Sequence, residues 1–375
     1  MTIWFLLQDT GRIYGAERAT LDLMDGLKGC GKATPACILI GEQRLGDSAP
    51  DLREAIEQAG IRLESIPVSS RFSFALIRGI RTAVSSSTAP VLHCVGPKAI
   101  LHGGLAAGWG RRFPVVATIH GWLERRDWKE AFYAFLERRA LKRFTRVVVL
   151  SSFYEKRLRA MGVRRDRLLR IPSGLKPADF PDEPATRALV EQPAPFTLGL
   201  PARFSEEKNH GLLIDAVASV RAQGIDVRAI LAGEGPCLQD MKARVHELGL
   251  EAFVTFPGYL DRTALLASVH AVAMTSRIEN LPYALLEAMA WRRPVIATRV
   301  GGISDVVADT QTGFLVEAGD AEGLAAAIQN LAGDVERARS MGDAGRERVE
   351  NEFSQGPCIA RHAAMYEEIT KSRRR

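Results

Sequence analysis

Cysteine is scarce and poorly placed for cross-linking. Five occur in 375 residues, Cys30, Cys37, Cys94, Cys237 and Cys358, an odd number with no C-x-x-C pair. That spacing excludes a disulfide framework and a thiolate zinc site, and reads as reduced side chains in a reducing compartment. Long apolar runs are missing as well. No stretch reaches the roughly 18 apolar residues of a transmembrane helix, and the start has no basic segment leading into an apolar one. A cytoplasmic protein is expected, with peripheral contact at the inner face of the cell membrane left open. The sequence contains no H-E-x-x-H, no D-x-D carboxylate pair, no Walker loop and no G-x-S-x-G elbow, and its seven histidines are dispersed. Metal chemistry is therefore not expected, and no cofactor is called for. No fixed-period repeat is present.

What is present begins with length. A chain of 375 residues exceeds what one hydrophobic core usually serves, so two domains are expected. The net charge of +6 conceals an asymmetry: residues 1–180 hold 29 Lys and Arg against 17 Asp and Glu, whereas 181–375 hold 21 against 27. A basic half beside an acidic half points to different partners for each. The basic excess is densest over 121–170, where nucleic acid, a phosphorylated acceptor and an anionic bilayer all fit the charge. Within it, "WLERRDWKEAFYAFLERRALKRF" (122–144) predicts a helix with Trp128, Phe132, Phe135, Leu136 and Ala140 at helical spacing, flanked by Arg and Lys. Such a stripe serves an interfacial helix and a core-packed helix equally.

Strand-like runs alternate with helical stretches. "TIWFLLQ", "ACILIG", "IRLESIP", "PVLHCVG", "PVVATIH" and "RVVVLS" predict strands in the first half, with crossover helices over 15–28, 50–60 and 97–108. A segment holding five prolines, 176–196, interrupts the pattern and reads as a linker. "FTLGLPA", "VRAILAG", "FVTFPG", "AVAMTS", "PVIATRV" and "GFLVEAG" then resume it, and 320–370 reads as helices separated by Gly342, Gly345 and Gly356. Continuous apolar strands at this spacing predict an α/β architecture of two doubly wound, Rossmann-like domains facing a cleft at the carboxyl ends of their strands. The expected division is an acceptor-side domain over 1–178, a linker over 179–195 and a donor-side domain over 196–355. A last helix, about 356–375, is expected to return to the first domain.

Polar residues at strand ends are the candidates for chemistry. "LPARFSEEKNHG" (200–211) puts Arg203 and Lys208 beside a helix start, which suits a diphosphate and equally an exposed charged loop. "LAGEGPCL" (231–238) offers Gly233 and Gly235 for close approach to a ligand or for a tight turn. "TIHGW" (118–122) places His120 at a strand end, as a sugar contact or a satisfied structural histidine. Gly15, opening the first helix, could lend its amide to an anion or simply allow a turn. "TSRIENLPYALLEAMA" (275–290) sets Glu279 and Glu287 eight residues apart around Pro282. Proline suits the first helical position, so Glu279 is expected in the loop and Glu287 inside the helix. Buried carboxylates need hydrogen-bond partners, and a sugar or ribose diol supplies two donors.

These residues resemble a family. "ARFSEEKNHGLLIDAV", "LAGEGP", "FPGYL" and "SRIENLPYALLEAMAWRRPVIATRVGGISDVVADTQTGFLVEAGD" look like the donor half of retaining GT-B glycosyltransferases, family 4 (glycosyl transferases group 1). "YGAERATLDLMDGL", "TIHG" and "IPSGLKPADF" extend the likeness over the first half. The resemblance implies a nucleotide-sugar donor, a glycan or lipid-linked acceptor, retention of configuration and no required metal, with a place in cell-surface polysaccharide or lipopolysaccharide biosynthesis. It implies that Arg203 and Lys208 meet the diphosphate, that Glu287 binds ribose hydroxyls, and that Glu279 contacts the donor sugar beside the amides of Asn280 and Leu281. Gly15 would allow the diphosphate close, His120 would lie near the transferred sugar, and Gly233, Gly235 and Tyr259 would border the nucleotide. The chain departs from the family pattern at Tyr14, Gly121, Ser173 and Pro282, positions that bear on which sugar is taken. Two other readings are a nucleotide-sugar epimerase of the same architecture and a non-catalytic nucleic-acid or anion-binding protein. The family resemblance favours neither.

Overall fold

A computed structural model describes residues 1–9, 13, 15–42, 51–121, 128–182 and 195–374. The chain divides into two compact units, Met1–Gly174 with Gln355–Arg375, and Leu175–Ser354. Each is built on a parallel sheet.

In the first unit the strands are β1 (Thr2–Gln8), β2 (Thr34–Glu42), β3 (Arg62–Val68), β4 (Val91–Val95), β5 (Val115–Ile119), β6 (Arg146–Val149) and β7 (Leu168–Arg170), in the spatial order β3-β2-β1-β4-β5-β6-β7. In the second they are β8 (Phe196–Pro201), β9 (Val227–Ala232), β10 (Val254–Gly258), β11 (Ala271–Met274), β12 (Val295–Thr298) and β13 (Gly313–Val316), in the order β10-β9-β8-β11-β12-β13. Every pairing between these strands is parallel. Both sheets reverse their winding beside the first strand, between β1 and β4 and between β8 and β11. In open α/β sheets that reversal opens a crevice at the carboxyl ends of the strands.

The strand residues are those that the apolar runs predict. β4 "VLHCV" and β5 "VVATI" are buried at every position because helices cover both faces of the sheet. Full burial of one such Val, Ile or Leu contributes roughly 1.5–3 kcal/mol, so the central strands anchor each unit. Only β7, three residues long, was not foreseen.

Two expectations need correction. Gly342 and Gly345 do not separate helices: both lie inside helix Val335–Glu352, and Gly356 lies inside helix Gln355–Arg374. A Cβ at Gly342 would sit 2.1 Å from the carbonyl oxygen of Arg292, and one at Gly345 would sit 3.4 Å from Met289. These glycines let two helices approach closely, and the actual breaks fall at Asp334 and at Phe353–Ser354. Pro282, expected at the first helical position, is the N-cap, and the helix begins at Tyr283. Most of the proline-rich segment, 183–194, lies outside the described residues, as do Tyr14 and residues 122–127 of the basic aromatic stretch. No described helix is long and apolar enough to cross a membrane.

Candidate donor site and the polar core of the first unit

In the second unit the loops leaving the carboxyl ends of β8 to β12 are laced to one another by their backbones. The loop after β8 donates Phe204 N–H to Glu234 O at 2.9 Å and accepts Cys237 N–H at Phe204 O at 3.0 Å, both partners lying on the loop after β9. Gly233 N–H reaches Gly258 O at 2.7 Å, joining the loops after β9 and β10, and Arg277 N–H reaches Glu207 O at 2.7 Å, joining those after β8 and β11. The Thr275 hydroxyl donates to the carbonyls of Lys208 and Asn209, and that of Thr298 to Ser276 O at 2.5 Å. Side chains on this rim are therefore held by a rigid frame rather than by free loops.

The glycines of the rim serve that lacing. Gly233 (φ 149°) and Gly235 (φ 155°) lie where a Cβ would stand 2.1 Å from Ala202 O and 2.2 Å from Phe204 O. Gly301 (φ 55°) is tighter still, since a Cβ there would stand 1.7 Å from the carbonyl oxygen of Glu279. The pair Gly301-Gly302 thus supports Glu279 from below, with Gly302 N–H directed at the same carbonyl.

On this frame Lys208 and Glu279 meet. Lys208 ends a short 3-10 turn after β8, just before Asn209 (φ 49°, ψ 50°), which caps helix His210–Ala222. Glu279 lies in the loop after β11, as expected. Its Oε1 accepts from Lys208 Nζ and, at 2.8 Å, from the Ser276 hydroxyl. The Glu279 side chain is 11% exposed and that of Lys208 25%. A half-buried pair of this kind is stabilising only because further hydrogen bonds satisfy the carboxylate. The two residues flank the reversal between β8 and β11.

Arg203, on the same loop as Lys208, is exposed. Burial raises the Glu207 carboxyl pKa, but the Ser205 hydroxyl, its own backbone amide, Lys208 and Arg203 bring it below the ordinary value. Asn280 and Leu281 are buried, and Tyr259 stands 83% exposed past the end of β10. Glu287 lies inside helix Tyr283–Ala290 as expected, with its Oε1 paired to Arg262 Nη1, whose Nη2 reaches Asp179 Oδ1 at 3.2 Å. Arg262 is the residue that sequence reasoning missed here. It opens helix Arg262–Ser268, capped by Asp261, and nothing in "LDRTALL" signals partners so distant along the chain.

In the first unit Gly15 opens helix Gly15–Gly29, with open space where a Cβ would stand. His120 directly follows β5 and stands beside a buried polar cluster that was not foreseen. His93, inside β4, is bonded through Nδ1 to the Tyr366 hydroxyl (2.5 Å) and through Nε2 to the Thr118 hydroxyl (2.7 Å), and stacks on Phe5. His362 stacks near His93 with ring centroids 6.2 Å apart, and its Nδ1 faces the Cys358 carbonyl at 2.9 Å. Burial, and then the neighbouring His362, push His120 down to about 4. Burial pushes His362 to about 4 against its Cys358 bond, and His93 is lowered well below its ordinary value by burial, His362 and His120. The histidines are neutral at neutral pH, so His120 offers a hydrogen bond rather than a charge. The signals for this cluster were a histidine inside an apolar strand and a His–Tyr pair four residues apart on a helix. Among the described residues no group of three or more His, Cys, Asp or Glu gathers as metal ligands would.

The architecture of two doubly wound parallel sheets, with charged residues on the carboxyl-end loops of the second, is that of GT-B glycosyltransferases. The model of the family "Glycosyl transferases group 1" matches residues 185–348, and that of the "Glycosyl transferase 4-like domain" matches 14–174. Two glycosyltransferase family models thus cover the chain in succession, the 4-like model over the first unit and the group 1 model over the second. The chain is 33% identical over 171 residues to the N-acetyl-alpha-D-glucosaminyl L-malate synthase of Bacillus anthracis, covering 45% of each chain. It is 33% identical over 171 residues to the lipopolysaccharide core biosynthesis glycosyltransferase LpsE of Rhizobium meliloti, covering 45% of this chain and 49% of that one. A third relative is the GDP-mannose-dependent alpha-(1-6)-phosphatidylinositol monomannoside mannosyltransferase of Mycobacterium tuberculosis, 30% identical over 220 residues, with 54% and 56% covered. The chain thus spans about half the length of these relatives. In fold it matches Anabaena Alr3699/HepE, solved in complex with UDP, at a TM-score of 0.83 and 22% identity over 98% of this chain and 100% of that one.

Proposed function

We propose that this protein is a retaining glycosyltransferase that moves a sugar from a nucleoside-diphosphate sugar to a glycan or glycolipid acceptor, without a required metal, in the building of a cell-surface polysaccharide or lipopolysaccharide. The observation that supports it most is the Lys208–Glu279 contact at the reversal of the second sheet, held on a backbone-laced rim. In the reaction the bond from the anomeric carbon to the phosphate oxygen breaks, its electron pair leaves with the diphosphate, and the acceptor hydroxyl oxygen bonds to that carbon while its proton passes to the departing diphosphate. Arg203, exposed, and Lys208, one bond from release by Glu279, are the cations that meet the charge growing on the leaving group. Preorganised charge of this kind is commonly worth about 3–4 kcal/mol per group. Glu279 takes sugar hydroxyls beside Asn280 and Leu281, and Glu287, paired with Arg262, takes the ribose diol. His120, neutral, supplies a hydrogen bond to the transferred sugar, and Gly15 leaves room for the phosphates. Gly233, Gly235 and Tyr259 border the nucleotide.

The polysaccharide setting has the printed roles of relatives behind it, such as LpsE and the putative colanic acid biosynthesis glycosyltransferase WcaL of Escherichia coli. A cytoplasmic site of action at a membrane face is part of the same reading. Phe132 and Phe135 are 54% and 52% exposed on helix Trp128–Leu141, whose Ala134, Ala140 and Leu141 face the core. The exposed phenylalanines next to Arg138 and Arg139 suit an anionic lipid surface.

The test is a panel of nucleotide sugars screened by thermal shift, followed by mass spectrometry of product with and without chelator. Release of nucleoside diphosphate with an anomer-retained glycoside is expected. A free epimer without transfer would replace this reading with an epimerase, and absence of any turnover alongside salt-sensitive nucleic-acid binding would replace it with a binding protein.

A further inference from the structure

The first unit holds a cavity of about 780 Å³ lined by Arg81, Trp109, Arg111, Arg112, Arg143 and Arg167. These residues lie at the amino ends of β5, β6 and β7 and on helix Phe74–Ser85, at the edge of the sheet opposite the strand ends that carry His120. Five guanidinium groups share one cavity, and among the described residues none of the five forms an ion pair. Helix capping accounts for two of them. Arg81 donates to Leu105 O and Ala106 O, both at 3.1 Å, at the carboxyl end of helix Pro97–Ala106, and Arg167 donates to Lys142 O at 2.7 Å. Arg143 lies over the Trp109 ring at 5.6 Å. The side chains of Arg111 and Arg112 are exposed and make no hydrogen bond among the described residues.

The loop that presents them is costly. Gly108 (φ 56°), Trp109 (φ 58°) and Gly110 (φ 90°) are consecutive left-handed residues, and for tryptophan that conformation is strained. Gly104 keeps the Trp109 ring in place, since a Cβ there would stand 2.4 Å from it. Arg373, from the last helix, pins the loop by donating to the carbonyls of Arg111 (2.7 Å) and Arg112 (2.5 Å). Like charges gathered this way repel one another, and an anion relieves the repulsion while matching the planar forks of arginine.

We propose that this cavity is a second anion site, binding a phosphate-bearing group through Arg111, Arg112 and Arg143 over Trp109, separate from any donor bound in the second unit. Its volume is that of a small-molecule site, larger than a lone phosphate needs, so the phosphate belongs to a larger group: a soluble phosphorylated compound or a lipid headgroup.

The test uses inorganic pyrophosphate and the full chain. Because Arg203 and Lys208 would also take pyrophosphate, thermal shift is read in the Arg203→Ala/Lys208→Ala background. Millimolar pyrophosphate is expected to raise Tm there by on the order of 3 °C. Adding Arg112→Ala and Arg143→Ala should remove that rise, while Arg143→Lys, which keeps the charge and the fold, should retain part of it. Flotation with vesicles of phosphatidic acid in phosphatidylcholine separates the two sources. If Arg112→Ala/Arg143→Ala abolishes flotation, the phosphate is a lipid's; a pyrophosphate response without flotation makes it a soluble compound's. No rise in the donor-site background, or a rise untouched by the arginine variants, overturns the proposal.

Discussion

The two units share one topology and hold their polar groups in opposite ways. The second unit places charge at its rim, in pairs: Lys208 with Glu279, and Arg262 with Glu287 and Asp179. The first buries uncharged rings, His93 bonded to Tyr366 and Thr118, with His362 and His120 beside them. A rim of charge pairs can be opened by an anionic ligand, because a phosphate competes for the lysine on equal terms. A buried neutral network cannot be opened without desolvated groups losing partners. The charge pairs of the second unit are arranged to exchange partners, the buried network of the first to keep its shape.

The largest effect expected from breaking this contrast is on Lys208. Lys208→Ala should lower turnover about 100–1,000-fold and weaken nucleoside-diphosphate binding, with circular dichroism unchanged. Steady-state kinetics within a factor of two of wild type would remove Lys208 from the site. Arg262→Ala comes next, since it leaves Glu287 and Asp179, 13% and 8% exposed, without their cation. Urea denaturation should show a loss of about 2–3 kcal/mol, and Arg262→Lys should recover part of it. Gly301→Ala, which forces a Cβ against the Glu279 carbonyl, should cost about 2 kcal/mol and reduce turnover as well. A stable variant with full activity would show that the support beneath Glu279 is dispensable.

Acid should separate the units. His120 and His362 have pKa values near 4 in the fold against 6.5 as the ordinary value, and His93 is lowered in the same direction. Between pH 6.5 and 4 the unfolded chain binds protons that the folded unit does not. Stability is therefore full above about 6.5, falls as pH drops, and is lost through 4, by up to about 1.4 kcal/mol per pH unit for each histidine. In the second unit His210 is lowered likewise, to about 4, chiefly by burial. Hydrogen exchange at pH 5 should show β4 and β5 losing protection before β8 and β11, and equal loss would dissolve the comparison. The smallest effect is Tyr366→Phe, which removes one hydrogen bond from His93 and should cost about 1 kcal/mol in the first unit, read by the same exchange.

Legibility in the sequence follows the range of the interactions involved. Apolar runs such as "RVVVL" and "AVAMTS" announce central strands because their burial is two-sided and local in sequence. β7 escaped because three residues carry no period. Glu279 and Glu287 were visible as acids in an apolar run, and the loop-versus-helix placement followed from Pro282. The partner of Glu287 was not visible, because Arg262 lies 25 residues away and reaches it only through the fold. Gly342 and Gly345 misled for the same reason: glycine inside a helical stretch looks like a break until the neighbouring helix, at Arg292 and Met289, is known. The histidine network was least legible of all, since its members come from β4, from the residue after β5 and from the last helix.

That last helix has a consequence for how the chain is made. Gln355–Arg374 belongs to the first unit and buries Ala363, Tyr366 and Ile369 in its core, yet it is synthesised after the whole of the second. His93 lacks its tyrosine until the last helix is made, whereas the second unit is contiguous from Leu175 to Ser354. Domains commonly fold in order of emergence; in this chain the first unit to emerge is the last to be completed. A circular permutant that moves Gln355–Arg374 ahead of Met1 would let the amino-terminal half mature as it leaves the exit tunnel.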